Sequence, residues 1–420
     1  MKSSILFQRF KEKGKTITLT AVGDIMMQGE TQLSAQNAID QSINNLNSRI
    51  ASGFHTIFKP VESDLRRGDL LIGNLETPIA ANLVPQHQIT SDNRYICECI
   101  DVPEGILVDG HAYGETKYPK RRRRFGLPNF NTHPSLAYSL KSIGFDIVTT
   151  ANNHTMDRGH NGIDRTIESL RTTGLDFVGT IHSKDIQLTN PERYLANCPY
   201  QIKNVQGVRI AFFSYTNFIN QEFLQFHDHS NQIFFLPRKK QPERRERFFN
   251  AIRSAKNDPS IDLVVLSIHW GIDYVGWIFR SQKKLAHEML EAGADIILGH
   301  HSHVLQPMEK YLTADGRETF IIYSLGNFTT DMPGIRAQTS IILYLGITKN
   351  ETGTFLSGLE YLPVARQKIT DSGNGKPLIQ IVAIDRFHPN LFNRHRKRAI
   401  RLFGSGNLKD PDAEFSYLIS

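Results

Sequence analysis

Cysteine is scarce: the chain has three in 420 residues, Cys97, Cys99 and Cys198. Three thiols make no disulfide framework, and the Cys97/Cys99 pair alone is too small a donor set for a zinc knuckle, so all three read as free thiols. Long apolar runs are missing as well. No segment approaches the ~18 consecutive apolar residues that a membrane helix requires. The opening MKSSILFQRFKEKGKTITL has only ILF before charge returns, which is not the apolar core of a secretory signal. These absences lead to the expectation of a cytoplasmic protein without a transmembrane segment. No internal repeat is visible, and no nucleic-acid module with interleaved aromatics stands out, so nucleic acid is not the expected partner. Basic residues nevertheless cluster within a net charge of +7, in KRRRR (120–124), RKK (238–240), RR (244–245) and RHRKR (394–398). Such runs read first as solvated faces and second as places to hold a polyanion.

What the chain does have is alternation. Short β-branched runs recur between residues 16 and 348: TITLTAVGD, DLLIGNLE, FDIVTTANNH, RIAFFSYTN, DLVVLSIHW, DIILGHHSH, FIIYSLGN and SIILYLGIT. Strands so uniformly apolar are buried on both faces, and the longer segments between them carry helical spacing, which makes the fold class α/β. Ile163, Ile167 and Leu170 mark one helix face, closed by Gly174; Leu285, Met289 and Ala292 mark another, closed by Gly293. Residues 1–15 read as an N-terminal tail and 16–348 as the main domain. The polar, irregular stretch at about 80–128 reads as an insertion or flap. Residues 349–420 read as strands that finish the sheet, followed by a loosely attached basic helix or tail.

Six of the strands end in polar clusters, and open α/β sheets bind ligands at the carboxyl ends of their strands. That rule directs Asp24, Glu76, Asn153, His154, His269, His301, His303 and Asn327 to one rim. Several have a bland alternative. Asp24 suits a helix N-cap, Asn153 and His154 suit a turn and a satisfied core histidine, and His269 alone suits a core. Glu76 is harder to dismiss, because LLIGNL predicts burial and a buried carboxylate needs a partner. His301 and His303, one residue apart on what reads as an extended segment, are placed to splay around metal. Two carboxylates, an amide oxygen and three imidazoles exceed what one ion needs. Two divalent ions bridged by a carboxylate would use them, with Mn, Fe or Zn suiting the mixture. An anionic ester, naturally a phosphate ester, is the matching substrate.

The ordered motifs AVGDIMMQG, GDLLIGNLETPI, FDIVTTANNHTMDRG, IHWGIDY, GADIILGHHSHVLQPME and IIYSLGNF resemble the poly-gamma-glutamate capsule biosynthesis (CapA-type) family, within the calcineurin-like metallophosphoesterase superfamily. The resemblance implies a four-layer α-β-β-α sandwich with a dinuclear centre at one edge, and a hydrolase acting on a phosphate ester. Its alternative is an accessory role in making capsule or envelope polymer, with polyglutamate as the anionic partner. It implies Asp24, Glu76, Asn153, His269, His301 and His303 as metal ligands, His154 as a catalytic non-ligand, and Asp157 as its orienting partner. His300 stays outside that shell, and Asn152 and His160 are left to turn geometry and helix entry. Where many of the superfamily place a histidine ligand this chain has Met26, and Asp273 stands where the family usually has glutamate. Family members linked to capsule polymer generally carry an N-terminal membrane anchor, which the opening residues do not suggest here.

Overall fold

A computed structural model describes residues 4–40, 42–80, 83–89, 95–101, 130–188, 199–220, 232–370, 375–386 and 392–418. The strands, numbered along the chain, are β1 (Lys15–Ile25), β2 (Leu70–Leu75), β3 (Leu83–Ile89), β4 (Tyr95–Asp101), β5 (Ile147–Thr149), β6 (Asp176–Val178), β7 (Tyr200–Val205) and β8 (Val208–Thr216). They continue with β9 (Leu263–His269), β10 (Ile296–His300), β11 (Met308–Leu312), β12 (Glu318–Ile322), β13 (Asn327–Thr329), β14 (Thr339–Asn350), β15 (Gly353–Thr370) and β16 (Pro377–Ala383).

One sheet runs β16-β15-β14-β1-β2-β5-β6, with β13 beside the end of β1; the second runs β11-β12-β10-β9-β8-β7. Strands β1, β2, β5, β6 and β13 are parallel, as are β8, β9, β10 and β12, so each sheet gathers its carboxyl ends at one edge. Alternation along each strand builds three apolar layers. Ile17, Leu19, Leu70, Ile72, Val265 and Leu298 meet in the core between the sheets. On the outer face of the first sheet, Leu71, Leu75 and Val148 pack on Phe54, Leu136 and Leu170. On that of the second, Val264, Leu266 and Ile268 pack on Phe248, Ile252 and Met289. Each fully buried Leu or Ile contributes about 1.5–3 kcal/mol. The result is the expected four-layer α-β-β-α sandwich.

The expected helix faces are present. In Gly159–Thr173, Ile163, Ile167 and Leu170 are buried, and Gly174 stops the helix with φ 66°. In Arg280–Glu291, Met289 is buried, and Gly293 follows with φ 127°.

Two expectations are corrected at the ends of the chain. The N-terminal segment is no tail, since Phe7 joins the inter-sheet core and the Ile5 amide donates to Asn407 Oδ1 at 2.8 Å. The C-terminal segment does form a helix, but it is not loosely attached. Ala399 and Phe403 of the helix Asn393–Phe403 enter the inter-sheet core, while Phe415 and Tyr417 bury against the outer face of the first sheet. Tyr417 lies directly over Gly346 and Gly358, where a Cβ would come within 2.6 Å and 2.1 Å of its ring. Buried residues four apart, His395, Ala399 and Phe403, do mark a helix face, but no periodicity marks Phe415 and Tyr417. Of the stretch 80–128, only Ala80 and an antiparallel pair, β3 with β4, belong to the described residues. Cys198 and the run 120–124 lie outside them. No helix among the described residues is long and apolar enough to cross a membrane.

Candidate metal centre

At the shared edge the first sheet delivers Asp24 from β1 and Glu76 just past β2, and the second delivers His269 at the end of β9 and His301 and His303 just past β10. All five are buried. Donor atoms of Asp24, Glu76 and His269 lie within 4.8 Å of one another, as do those of Glu76, His301 and His303. Glu76 belongs to both groups. Neither of its carboxylate oxygens has a hydrogen-bond partner, although His269 Nε2 lies 3.5 Å from Oε1. His301 Nδ1 is likewise buried without a hydrogen-bond partner.

The backbone aims these groups. His301 and His303 are not extended: both adopt left-handed conformations, φ 86° and 57°. For residues other than glycine this costs about 1–3 kcal/mol each, and it turns both imidazoles inward where a strand would have carried them past the edge. Asp24 is fixed by three donors. Asn74 Nδ2 donates to Oδ1 at 2.8 Å, His300 Nδ1 lies 3.0 Å from the same oxygen, and the His301 amide donates to Oδ2 at 3.3 Å. Asn327, paired with Asp24 across β1 and β13, places Oδ1 2.9 Å from His303 Nδ1.

Asn153 Oδ1 lies 2.7 Å from His269 Nε2, which joins the third strand end to the donor set. His154 stands outside it. Its Nδ1 is 2.6 Å from Asp157 Oδ2, an oxygen that also accepts the Phe130 amide at 2.6 Å, and the Phe130 ring stacks on the imidazole with centroids 3.9 Å apart. Asn220 packs alongside, its Nδ2 3.4 Å from His154 and its Oδ1 accepting from Asn153 Nδ2 at 3.0 Å. Asn152 braces the turn by donating to the Leu75 carbonyl at 2.8 Å and accepting the His154 amide at 3.1 Å. His160, in the first turn of the following helix, bonds Gln232 at 2.7 Å. Asp273 Oδ1 sits 3.0 Å from His301 Nε2, so the shorter residue still reaches the histidine. Met26 is buried and adds no nitrogen or oxygen ligand.

Electrostatics favours a cation here. Burial opposes ionisation of Asp24, but His300, then His303 and the Asn74 amide, outweigh it and hold its carboxyl below the usual range. Burial, and then the charge of Asp24, push Glu76 well above that range. Burial and neighbouring imidazoles push His269 well below its ordinary value, and burial takes His301 down to about 4 against the pull of Asp273. Neutral imidazoles are the form that binds a divalent cation, and a cation beside Glu76 would offset the burial and the Asp24 charge that oppose its ionisation. The residues fit a divalent-cation site, and Glu76 is common to both donor groups.

Asn74, His300, Asn220 and Phe130 were absent from the sequence-based set. Asn74 had a readable signal, an amide inside the fully buried strand LLIGNL. Phe130 and Asn220 reach the site from loops, with no periodicity to mark them.

Sandwich and donor set together define an α/β protein with a candidate metal site where the edges of its two sheets meet. The chain belongs to the bacterial capsule synthesis protein PGA_cap family, whose profile matches residues 18–98 and 111–332. It is 26% identical over 392 residues to the capsule biosynthesis protein CapA of Bacillus anthracis, covering 92% of this chain and 76% of that one. It is 29% identical to the PGA biosynthesis protein CapA of Bacillus subtilis, covering 72% of this chain and 64% of that one. A probable polyglutamine synthesis accessory protein of Mycobacterium tuberculosis is 24% identical over 56% of this chain and 59% of its own length. The solved calcineurin-like phosphoesterase YfkN of Bacillus subtilis aligns over 94% of this chain and all of its own, at 13% identity and a TM-score of 0.41.

Proposed function

We propose that the protein is a metal-dependent hydrolase of phosphate esters, with two divalent transition-metal ions held by Asp24, Glu76, Asn153, His269, His301 and His303. The observation that carries this reading is Glu76, a fully buried carboxylate whose two oxygens lack partners and which both donor groups share. When bound, the ions would supply Lewis acidity toward a phosphoryl oxygen and an acidified water at neutral pH. The chain's own contribution is separate. His154, held by Asp157 and the Phe130 ring and not counted among the ligands, is positioned to donate a hydrogen bond or a proton to the leaving oxygen. Asn220 supports Asn153 and His154 from one side.

The test is metal analysis of purified protein together with turnover of an aryl phosphate and an aryl phosphodiester. About two Mn, Fe or Zn per chain, with hydrolysis abolished by a chelator and restored by metal, is the expected result. Folded protein without affinity for any of the three would refute the reading. A second reading, an accessory role in poly-gamma-glutamate polymer assembly, is favoured by the family and by the names of its relatives. Deletion of the gene with loss of polymer, fully rescued by a Glu76→Gln variant that binds no metal, would select it.

A further inference from the structure

The run RHRKR (394–398) is not a uniform solvated face. In the helix Asn393–Phe403, His395 is buried with Nδ1 2.6 Å from Thr339 Oγ1, and Arg396 Nε bonds Asp385 Oδ1 at 2.5 Å. Ala399 and Phe403 anchor the helix to the core. Arg394, Arg398 and Arg401, spaced four and three apart, share another face. Arg398 converges there with Arg336 on the backbone of Gly276, where a Cβ would lie 2.9 Å from Arg336 Nη2 and 3.9 Å from Arg398 Nη2.

These guanidinium groups lack counter-charges. Among the described residues no carboxylate lies within ion-pair distance of Arg336, Arg398 or Arg401; the nearby Arg396 and Arg366 have theirs, Asp385 and Glu30. Arg336 Nη2 donates to the Tyr274 carbonyl at 3.0 Å, and Arg398 Nε is closed off from solvent without a hydrogen-bond partner. Burial first, and then the charges of Arg336 and Arg401, lower the pKa of Arg398. The exposed Arg336 and Arg401 repel the half-buried Arg398, and an oxyanion placed among them would offset that cost through charge-assisted, forked hydrogen bonds. The cluster also borders the metal centre. The Tyr274 amide donates to the Ser302 carbonyl at 2.8 Å, and its ring stands 5.9 Å from that of His303.

We propose that Arg336, Arg398 and Arg401 form an oxyanion-binding site over Gly276 for a second phosphate or carboxylate group of a multiply charged ligand. That the ligand's first anionic group occupies the metal centre rests on the function proposed above; the anion site itself does not. Selection would then favour polyanions over singly charged esters.

Trp277, which follows Gly276, is 62% exposed, whereas the chain's other tryptophan, Trp270, is 3% exposed, so quenching of the exposed indole reports on this site. Full-length protein is titrated with tripolyphosphate and, separately, with triglutamate, both with a chelator present and after metal loading. A saturable fluorescence change with the chelator present is expected, and the anion that produces it identifies the chemistry as phosphate or carboxylate. Arg398→Gln should weaken that binding by about tenfold or more. Arg401→Gln, at an exposed position where loss of the side chain leaves the packing intact, should weaken it several-fold. Arg396→Gln removes the same charge from the opposite side of the helix, where Arg396 pairs with Asp385, and should leave affinity unchanged. No saturable response to either anion, or equal weakening by Arg396→Gln and Arg401→Gln, overturns the site. Anion binding intact in protein that holds no metal and turns over no ester would count against the proposed hydrolase alone.

Discussion

His154 and Glu76 lie at one edge and are asked to do different things. Neither oxygen of Glu76 has a hydrogen-bond partner among the described residues, whereas His154 is satisfied through Asp157 and Phe130. His154→Ala is therefore expected to keep its metal content while kcat falls by about 10²–10⁴, measured by elemental analysis beside steady-state kinetics. Equal loss of metal would make it a ligand. Asp157→Asn keeps the acceptor oxygen but loses the charge, so a smaller fall, chiefly in kcat and not in KM, is expected on an aryl phosphate.

Strand ends were where the chain was most legible. Asp24, Glu76 and His269 each follow an apolar run closely enough to be placed on the rim, and the two-faced burial of those runs identified the α/β class, whereas the four-layer sandwich followed only from the family resemblance. Loops were less legible. The left-handed turns at His301 and His303 oppose the preference of every residue other than glycine, so local propensity pointed to extension, and only packing around the edge holds them. Asn327 was placed on the rim by its strand-end position, but its pairing with Asp24 through β13 beside β1, across about 300 residues, is carried by no local pattern. A loop histidine also sets an expectation for one helix. The Ser135 amide at the start of Ser135–Ile143 donates to His133 Nδ1 at 3.1 Å, and burial lowers the pKa of His133 to about 4. Because the unfolded chain takes up this proton near pH 6.5 and the folded chain only near 4, the contribution is complete above the first value. It declines as pH falls toward the second. Urea unfolding at pH 7 and pH 5 should show His133→Gln losing less stability between them than the parent protein.

At the scale of the molecule, the chain's last described residues help to hold the sheet. Tyr417 covers two glycines that leave room for nothing larger, and its hydroxyl reaches Thr18 Oγ1 at 3.2 Å. Tyr417→Ala should cost about 3–5 kcal/mol of unfolding free energy, read from chemical denaturation with metal absent so that ligand binding adds nothing. A value near zero would return this segment to the status of a tail.

The donor set is divided between the sheets, Asp24 and Glu76 on one and His269, His301 and His303 on the other, with the inter-sheet core directly behind. Ions at that edge would act as a clasp, and metal affinity becomes a gauge of how closely the two sheets close. Loading at a thousand times the dissociation constant would add about 4 kcal/mol to stability. Conversely, a wedge far from any donor should loosen the ions: Val265→Phe in β9, a fully buried core position, is expected to weaken metal binding about tenfold against a competing chelator. Unchanged affinity would mean that each sheet holds its ions alone.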